Sequence, residues 1–245
     1  MTVNPTRTKA DRVYDDMRAD ILSGRLPPGT RLRYAELCEH YSSSTGVLRE
    51  AMLRLSEQGL VKGEPQQGFQ VVELSIDDLQ DLTAAREVIE GLALRHAMTE
   101  GDVEWESRII AAHHRLSRSS MQDPTDSLRL SDQWAVEHAE FHRALLDGCR
   151  NRRLKEFASS LRDAAELYRR WSLPLGRNSG ERDVSVEHDA LLAAVLDRDT
   201  ELAVELLTTH IRRTSNLLLE GILADSPTTA TLALAASSQT GAAEE

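Results

Sequence analysis

The sequence predicts a mostly α protein in two parts, a head of three helices and a β-hairpin followed by an antiparallel all-helical bundle. Three observations carry this. Apolar residues recur at three- and four-residue spacing through most of the chain, and aromatic residues make up only 4% of its 245 positions, which favours helices. Two short β-like runs stand together, on either side of Glu64-Pro65-Gln66-Gln67-Gly68. Charge is also divided unevenly. Residues 1–72 hold 10 Lys and Arg against 9 Asp and Glu, and the remainder holds 19 against 31.

The first part reads as follows. Residues 1–9 are polar and are expected to form a flexible arm. Val13, Met17 and Ile21 recur every four residues, so a helix runs from Ala10 to Ser23, with Gly24 as its C-terminal stop. Leu26-Pro27-Pro28-Gly29-Thr30 is a rigid turn. A short helix follows over about Tyr34–Tyr41. The next begins in the serine run: Val47, Leu48, Ala51, Met52 and Leu55 share one face, and Ser44 or Thr45 can accept a bond from a free amide of the first turn. Leu60–Gly63 and Phe69–Val72 are the hairpin strands, with Gly68 at the turn. Three helices and a hairpin make a winged helix-turn-helix over 10–73, in which the third helix can enter a DNA major groove.

The second part spans 80–222 behind a linker at 74–79. Helices are expected over Leu79–Met98, Val103–Met121, Thr125–Leu146, Asn151–Trp171, Arg182–Leu196 and from Asp199 to about Leu219. Asp123-Pro124 is read as the cap and first position of the third. Such a series packs as an antiparallel bundle. Residues 223–245 are rich in Ala, Ser and Thr and read as a disordered tail.

Composition narrows the partners. The formal net charge is −11, but the acidity belongs to the bundle. The head keeps Arg7, Lys9, Arg12, Arg31, Arg33 and Arg49 available for phosphates, which permits double-stranded DNA. Cys38 and Cys149 make no CxxC, and no stretch has signal-peptide or membrane-spanning character. A reduced, cytoplasmic protein with no membrane partner is expected.

Four of the eight histidines are candidate metal ligands. His138 and His142 are i and i+4 on one helix, while His188 and His210 sit beside apolar residues on two others. Imidazoles from three helices that converge in a bundle core can bind a divalent ion such as Zn or Ni. The alternative is four separate histidines, each satisfied by hydrogen bonds. Arg86 can pair with Glu90 at i+4.

The N-terminal motifs resemble those of GntR-type bacterial transcription regulators. The carriers are Gly24-Arg25-Leu26-Pro27-Pro28-Gly29, Glu36-Leu37, Leu48-Arg49-Glu50-Ala51-Met52 and Gly59-Leu60-Val61. The resemblance implies that Ser44, Thr45, Gly46, Val47 and Arg49 form the DNA-reading edge, and that Gln67 and Gly68 form the wing tip. Thr45 stands where the family commonly has an arginine, which implies a different operator sequence. Glu50 is expected to tie helices together. The C-terminal part resembles the FCD domain of the family's FadR branch, through Arg86-Glu87-Val88-Ile89-Glu90, His138-Ala139-Glu140-Phe141-His142, Glu187-His188-Asp189-Ala190-Leu191 and His210. That resemblance implies a metal held by His138, His142, His188 and His210, with a small organic-acid effector beside it and Arg86 in reach. His138 stands where the family has aspartate, so the site holds either four imidazoles or three. Together the resemblances imply a homodimeric, metabolite-responsive regulator, repressor more than activator. The competing reading is a metal-dependent enzyme of the bundle, but none of the eight histidines has the Glu three residues before it that a di-metal carboxylate site needs.

Overall fold

The structure is a computed structural model, and it describes residues 8–64, 68–125, 130–172 and 182–224. The expected arm (apart from Thr8 and Lys9), the loop residue Gln67 and the tail from residue 225 lie outside the described residues. The chain divides into two compact units, Met1–Ser75 with Asp163–Trp171, and Ile76–Arg162 with Ser172–Glu245.

The first unit contains α1 (Lys9–Leu22), β1 (Arg31–Leu32), α2 (Tyr34–His40), α3 (Thr45–Glu57), β2 (Val61–Glu64) and β3 (Gly68–Val71). α1 begins one residue earlier than expected because Thr8 caps it. The Thr8 hydroxyl accepts from the Asp11 amide and the Asp11 carboxylate accepts from the Thr8 amide, a reciprocal capping box. Val13, Met17 and Ile21 are buried against Leu48, Ala51, Met52 and Leu55 of α3, so the two apolar stripes meet as their spacing requires. The sheet has order β1-β3-β2, all antiparallel, with Val61 opposite Val71 and Leu32 opposite Phe69. The two-residue β1 was not expected. Its pairing is set by β3 nearly forty positions away, which no local pattern reports.

α3 departs from expectation at its start. Ser44 holds the N-cap position with extended backbone, yet its side chain makes no cap bond. The turn before it is closed by backbone instead: Ser42 adopts a left-handed φ of 46°, and the Ser43 amide donates to the Cys38 carbonyl at 2.9 Å. The hydroxyls of the reading edge are thus not consumed by helix capping at Ser44.

The second unit contains α4 (Ile76–Glu100), α5 (Val103–Ser117), α6 (Asp132–Leu146), most of α7 (Arg152–Ser172), α8 (Val184–Leu196) and α9 (Thr200–Ala224). α4 and α9 run antiparallel, tied by Thr83 to Ser215 at 2.7 Å and by Glu87 to Arg212 at 2.6 Å. Trp105, Ile109, Phe141, Leu145, Leu191 and Leu207 lie in the buried core. Trp105 also donates its indole N–H to the Ala144 carbonyl at 2.9 Å, so its polar atom is satisfied inside.

Several helix boundaries differ from expectation. α4 begins at Ile76, inside the expected linker 74–79, and α9 continues to Ala224, past the expected end near Leu219. The helix expected from Thr125 starts at Asp132, where Ser131 accepts from the Trp134 amide. The Asp123 carboxylate folds onto the Thr125 amide at 2.7 Å, forming a local turn and no helix start. α5 ends at Ser117, four residues early. The hydroxyls of Ser117 and Ser119 donate to the His114 and Arg115 carbonyls, a local alternative to continued helix.

Candidate functional site

Most of the residues expected to read DNA are exposed. Ser44, Thr45, Gly46 and Arg49 are exposed, while Val47 is half-buried against the core. Arg49 makes no ion pair among the described residues. Arg33 is exposed at the N-cap of α2, with Glu36 at 3.4 Å. Gly68 opens β3 with φ 86°, a conformation that favours glycine.

Glu50 corrects one expectation. It is exposed and forms no ion pair among the described residues. The tie between α1 and α3 is made by Arg54, which donates to Asp11 at 2.9 Å and lies 4.1 Å from the Tyr14 ring centroid. Asp20 does similar work between α1 and the end of α2. It accepts from Arg25 at 2.5 Å and from the Tyr41 hydroxyl at 2.6 Å. Burial would raise its carboxyl, but these bonds outweigh it and hold the group below its ordinary value.

In the second unit the four histidines come together. His138 and His142 project from α6, His188 from α8 and His210 from α9, with relative exposures of 7%, 4%, 3% and 6%. One ligand nitrogen from each lies within 4.8 Å of the others. Ring centroids are 4.5 Å apart for His138 and His142, and 4.9 Å for both His142–His210 and His188–His210. Trp134, one turn before His138, stacks on it at 4.5 Å and 21°, which keeps that ring in the group.

The chemistry of this set fits a divalent ion. Among the described residues, neither nitrogen of His142 has a hydrogen-bond partner, although a buried polar atom ordinarily finds one. Burial, then the nearby charges of His210, His188, Arg162 and Arg86, push the His142 pKa well below its ordinary value. Burial likewise lowers His210, against a partial pull upward from Glu187. Neutral imidazoles keep the lone pairs that a metal requires.

Arg86, half-buried, donates to the buried Glu90 at 2.6 Å. The i+4 pairing is therefore formed. The second Glu90 oxygen has no partner. A cavity of about 510 Å³ opens beside the cluster, lined by His188, Arg182, Trp134, Met121, Leu116 and Ser185 among others. Trp134, Arg182 and Glu187 were not foreseen as site residues. The adjacent Glu187-His188 was the available signal, because it sets a carboxylate beside a candidate ligand.

Comparison with known proteins settles the family. Residues 9–71 match the gntR family of bacterial regulatory proteins, and residues 81–213 match the FCD domain. The chain belongs to the GntR family of bacterial transcription regulators. It is 38% identical over 205 residues to the uncharacterized HTH-type transcriptional regulator BphR of Paraburkholderia xenovorans, covering 84% of this chain and 83% of that one. It is 34% identical over 200 residues to the HTH-type transcriptional repressor GlaR of Escherichia coli, covering 81% and 90%. A solved structure of E. coli McbR/YncC shares the fold, with a TM-score of 0.68 at 21% identity over 88% of this chain and 99% of that chain. A GntR regulator from Rhodococcus sp. RHA1 gives 0.66 at 22%, over 86% and 97%. This GntR-family chain is thus a DNA-binding transcription regulator and not an enzyme, which removes the metal-dependent enzyme reading. Among the described residues, no helix is long and apolar enough to cross a membrane.

Proposed function

We propose that the protein is a homodimeric, metabolite-responsive regulator, acting as a repressor, whose bundle binds a small organic acid beside a divalent metal. One observation carries the ligand half of this reading: four buried imidazoles lie together, and among the described residues neither nitrogen of His142 has a hydrogen-bond partner. Four nitrogen donors without a carboxylate favour Zn or Ni over harder ions. A bound ion would supply positive charge to which an effector carboxylate can add.

The rest follows from the chain's own residues. Residues 10–73 serve as the DNA head and 80–222 as the effector domain; the linker expected over 74–79 is shorter, because α4 already begins at Ile76. Arg49, with Ser44, Thr45, Gly46 and Val47, meets the major groove; Arg33 meets phosphate; Gln67 and Gly68 reach the adjoining minor groove. The cavity beside His188 admits the effector, and Arg86 contributes positive charge from its pair with Glu90. Val88 and Leu92, one turn apart on α4 and 66% and 45% exposed, suit a face that a second copy covers. Two heads then read two half-sites of a pseudo-palindrome. The effector shifts the population between DNA-competent and DNA-incompetent dimers, and the coupling between the two sites typically amounts to about 1–3 kcal/mol. Repression draws support from GlaR, a relative named as a repressor.

A mobility-shift titration on the DNA upstream of the protein's own coding sequence tests this, run against a panel of organic acids with and without chelator. One acid should weaken the shift, and chelator should abolish its effect. His188→Ala with His210→Ala should remove stoichiometric metal from the purified protein. Full metal retention in that double variant would refute the ligand set.

A further inference from the structure

The cluster has an outer layer that fixes one of its rings. Glu187, one residue before His188 on α8, accepts from His210 Nδ1 at 2.8 Å. Arg182 grips the same carboxylate with two bonds, Nε to Oε1 at 2.8 Å and Nη2 to Oε2 at 2.6 Å. Arg213 adds Nη1 to Oε1 at 3.2 Å. Arg182 is itself held by the Thr214 hydroxyl at 3.1 Å, and that hydroxyl donates to the His210 carbonyl at 2.9 Å. Arg182 and Glu187 are only 14% and 13% exposed.

From this geometry we infer that Glu187, clamped by Arg182, is the positioning residue that sets the tautomer and ring orientation of His210 for metal binding. The inference rests on the metal reading proposed above. Both Glu187 oxygens accept from arginine N–H groups, so the carboxylate stands as the acceptor toward the ring. Nδ1 of His210 therefore carries the ring proton, and Nε2 keeps the lone pair. The Arg182 Nη2 to Nδ1 distance of 3.4 Å does not compete, because both atoms are donors in this arrangement. A carboxylate bonded to the far nitrogen of a ligand histidine fixes the ring and raises its basicity toward the ion, and losing it costs about ten- to hundredfold in metal affinity.

Arg182 gives the layer a second property. It lines the 510 Å³ cavity together with His188, so the residue that clamps Glu187 also faces the space an organic anion would enter.

The test uses full-length protein, zinc and two variants. Zinc affinity is measured by competition with a chromophoric chelator. The His210 tautomer is read by ¹⁵N–¹H correlation spectra of histidine-labelled, metal-free protein, with the resonance assigned through His210→Gln. Wild-type protein should show Nδ1–H. Glu187→Ala should mix the tautomers and weaken zinc by about ten- to hundredfold. Glu187→Gln should lose less, because its amide oxygen can still accept from Nδ1–H. Thermal melting of the metal-free variants separates positioning from folding. If the alanine variant does not fold, the glutamine variant and the wild-type tautomer decide. Nε2–H in the wild type, or unchanged zinc affinity in the folded alanine variant, would overturn the inference. Wild-type protein that shows Nδ1–H but holds no stoichiometric zinc would refute the metal reading while supporting the positioning of the ring.

Discussion

Arg49→Ala is the substitution that best isolates DNA reading from folding. Arg49 is exposed on α3, between the buried Leu48 and Ala51, and pairs with no acid among the described residues. Removing it breaks no internal bond, and alanine is the better helix former. The melting temperature should therefore hold or rise slightly. The lost interaction is one base-reading arginine, about 1–3 kcal/mol, or about 5- to 150-fold in affinity for one head. With two heads on a palindrome the losses add, to about 2–6 kcal/mol. Fluorescence anisotropy on operator and scrambled duplexes at several salt concentrations reads this directly. A base contact predicts a loss concentrated on the operator. A phosphate contact predicts a uniform loss, with the salt slope reduced by about 1. Arg54→Ala is the contrasting control, since it breaks the Asp11 pair and the stack over Tyr14. That variant should lose stability while keeping the reading edge intact. Unchanged affinity of Arg49→Ala on both duplexes would refute the assigned role.

Three further outcomes follow from the packing. Leu48→Ala empties a fully buried site beneath the reading edge and should cost about 2–5 kcal/mol in chemical denaturation; a loss below 1 kcal/mol would mean that α3 is not held by this stripe. Gly101→Ala drives a methyl into the Trp105 ring and to 2.6 Å from the Ala97 carbonyl oxygen. It should destabilise by about 1–3 kcal/mol or more, and an unshifted melting curve would show that the α4–α5 corner is looser than drawn. Asp11 is held at about 2, below its ordinary 3.8, first by the Thr8 hydroxyl, then by the Thr8 amide and Arg54. Its folded pKa is depressed, so its contribution is present above about pH 4 and is lost as pH falls toward 2. The stability difference between wild type and Asp11→Asn should shrink across that window, and a difference that grows there would reverse the assignment.

What the sequence made legible and what it hid divide along a physical line. Val13, Met17 and Ile21, and Leu48, Ala51, Met52 and Leu55, were readable because helical spacing is local and a packed face must be apolar. All seven are buried. The histidines were readable one helix at a time, through HxxxH and through apolar neighbours. Helix ends were harder, because several hydroxyls compete for the same amides. Ser131, not Asp123, starts α6, and Ser117 closes α5. Cross-element pairs were not readable at all. Arg54 with Asp11, β1 with β3, and Arg182 with Glu187 join positions that no periodicity links.

The same division bears on His138. Sequence alone left open whether its ring turned into the cluster or away, since an i+4 histidine can do either. The structure stacks it on Trp134 and sets it 4.5 Å from His142. If the four imidazoles hold an ion as proposed, they bring it no negative charge where the resemblance implies an aspartate, and the ion would keep its full charge. The nearby acids do not offset that charge directly. Glu90 pairs with Arg86 through one oxygen, and Glu187 is held by Arg182 and His210. An effector that brings its own carboxylate therefore supplies what the first sphere lacks. Restoring the acid by His138→Asp should weaken the effector's hold relative to wild type while metal is retained. Stronger effector binding in that variant, read by thermal shift with and without chelator, would break the argument.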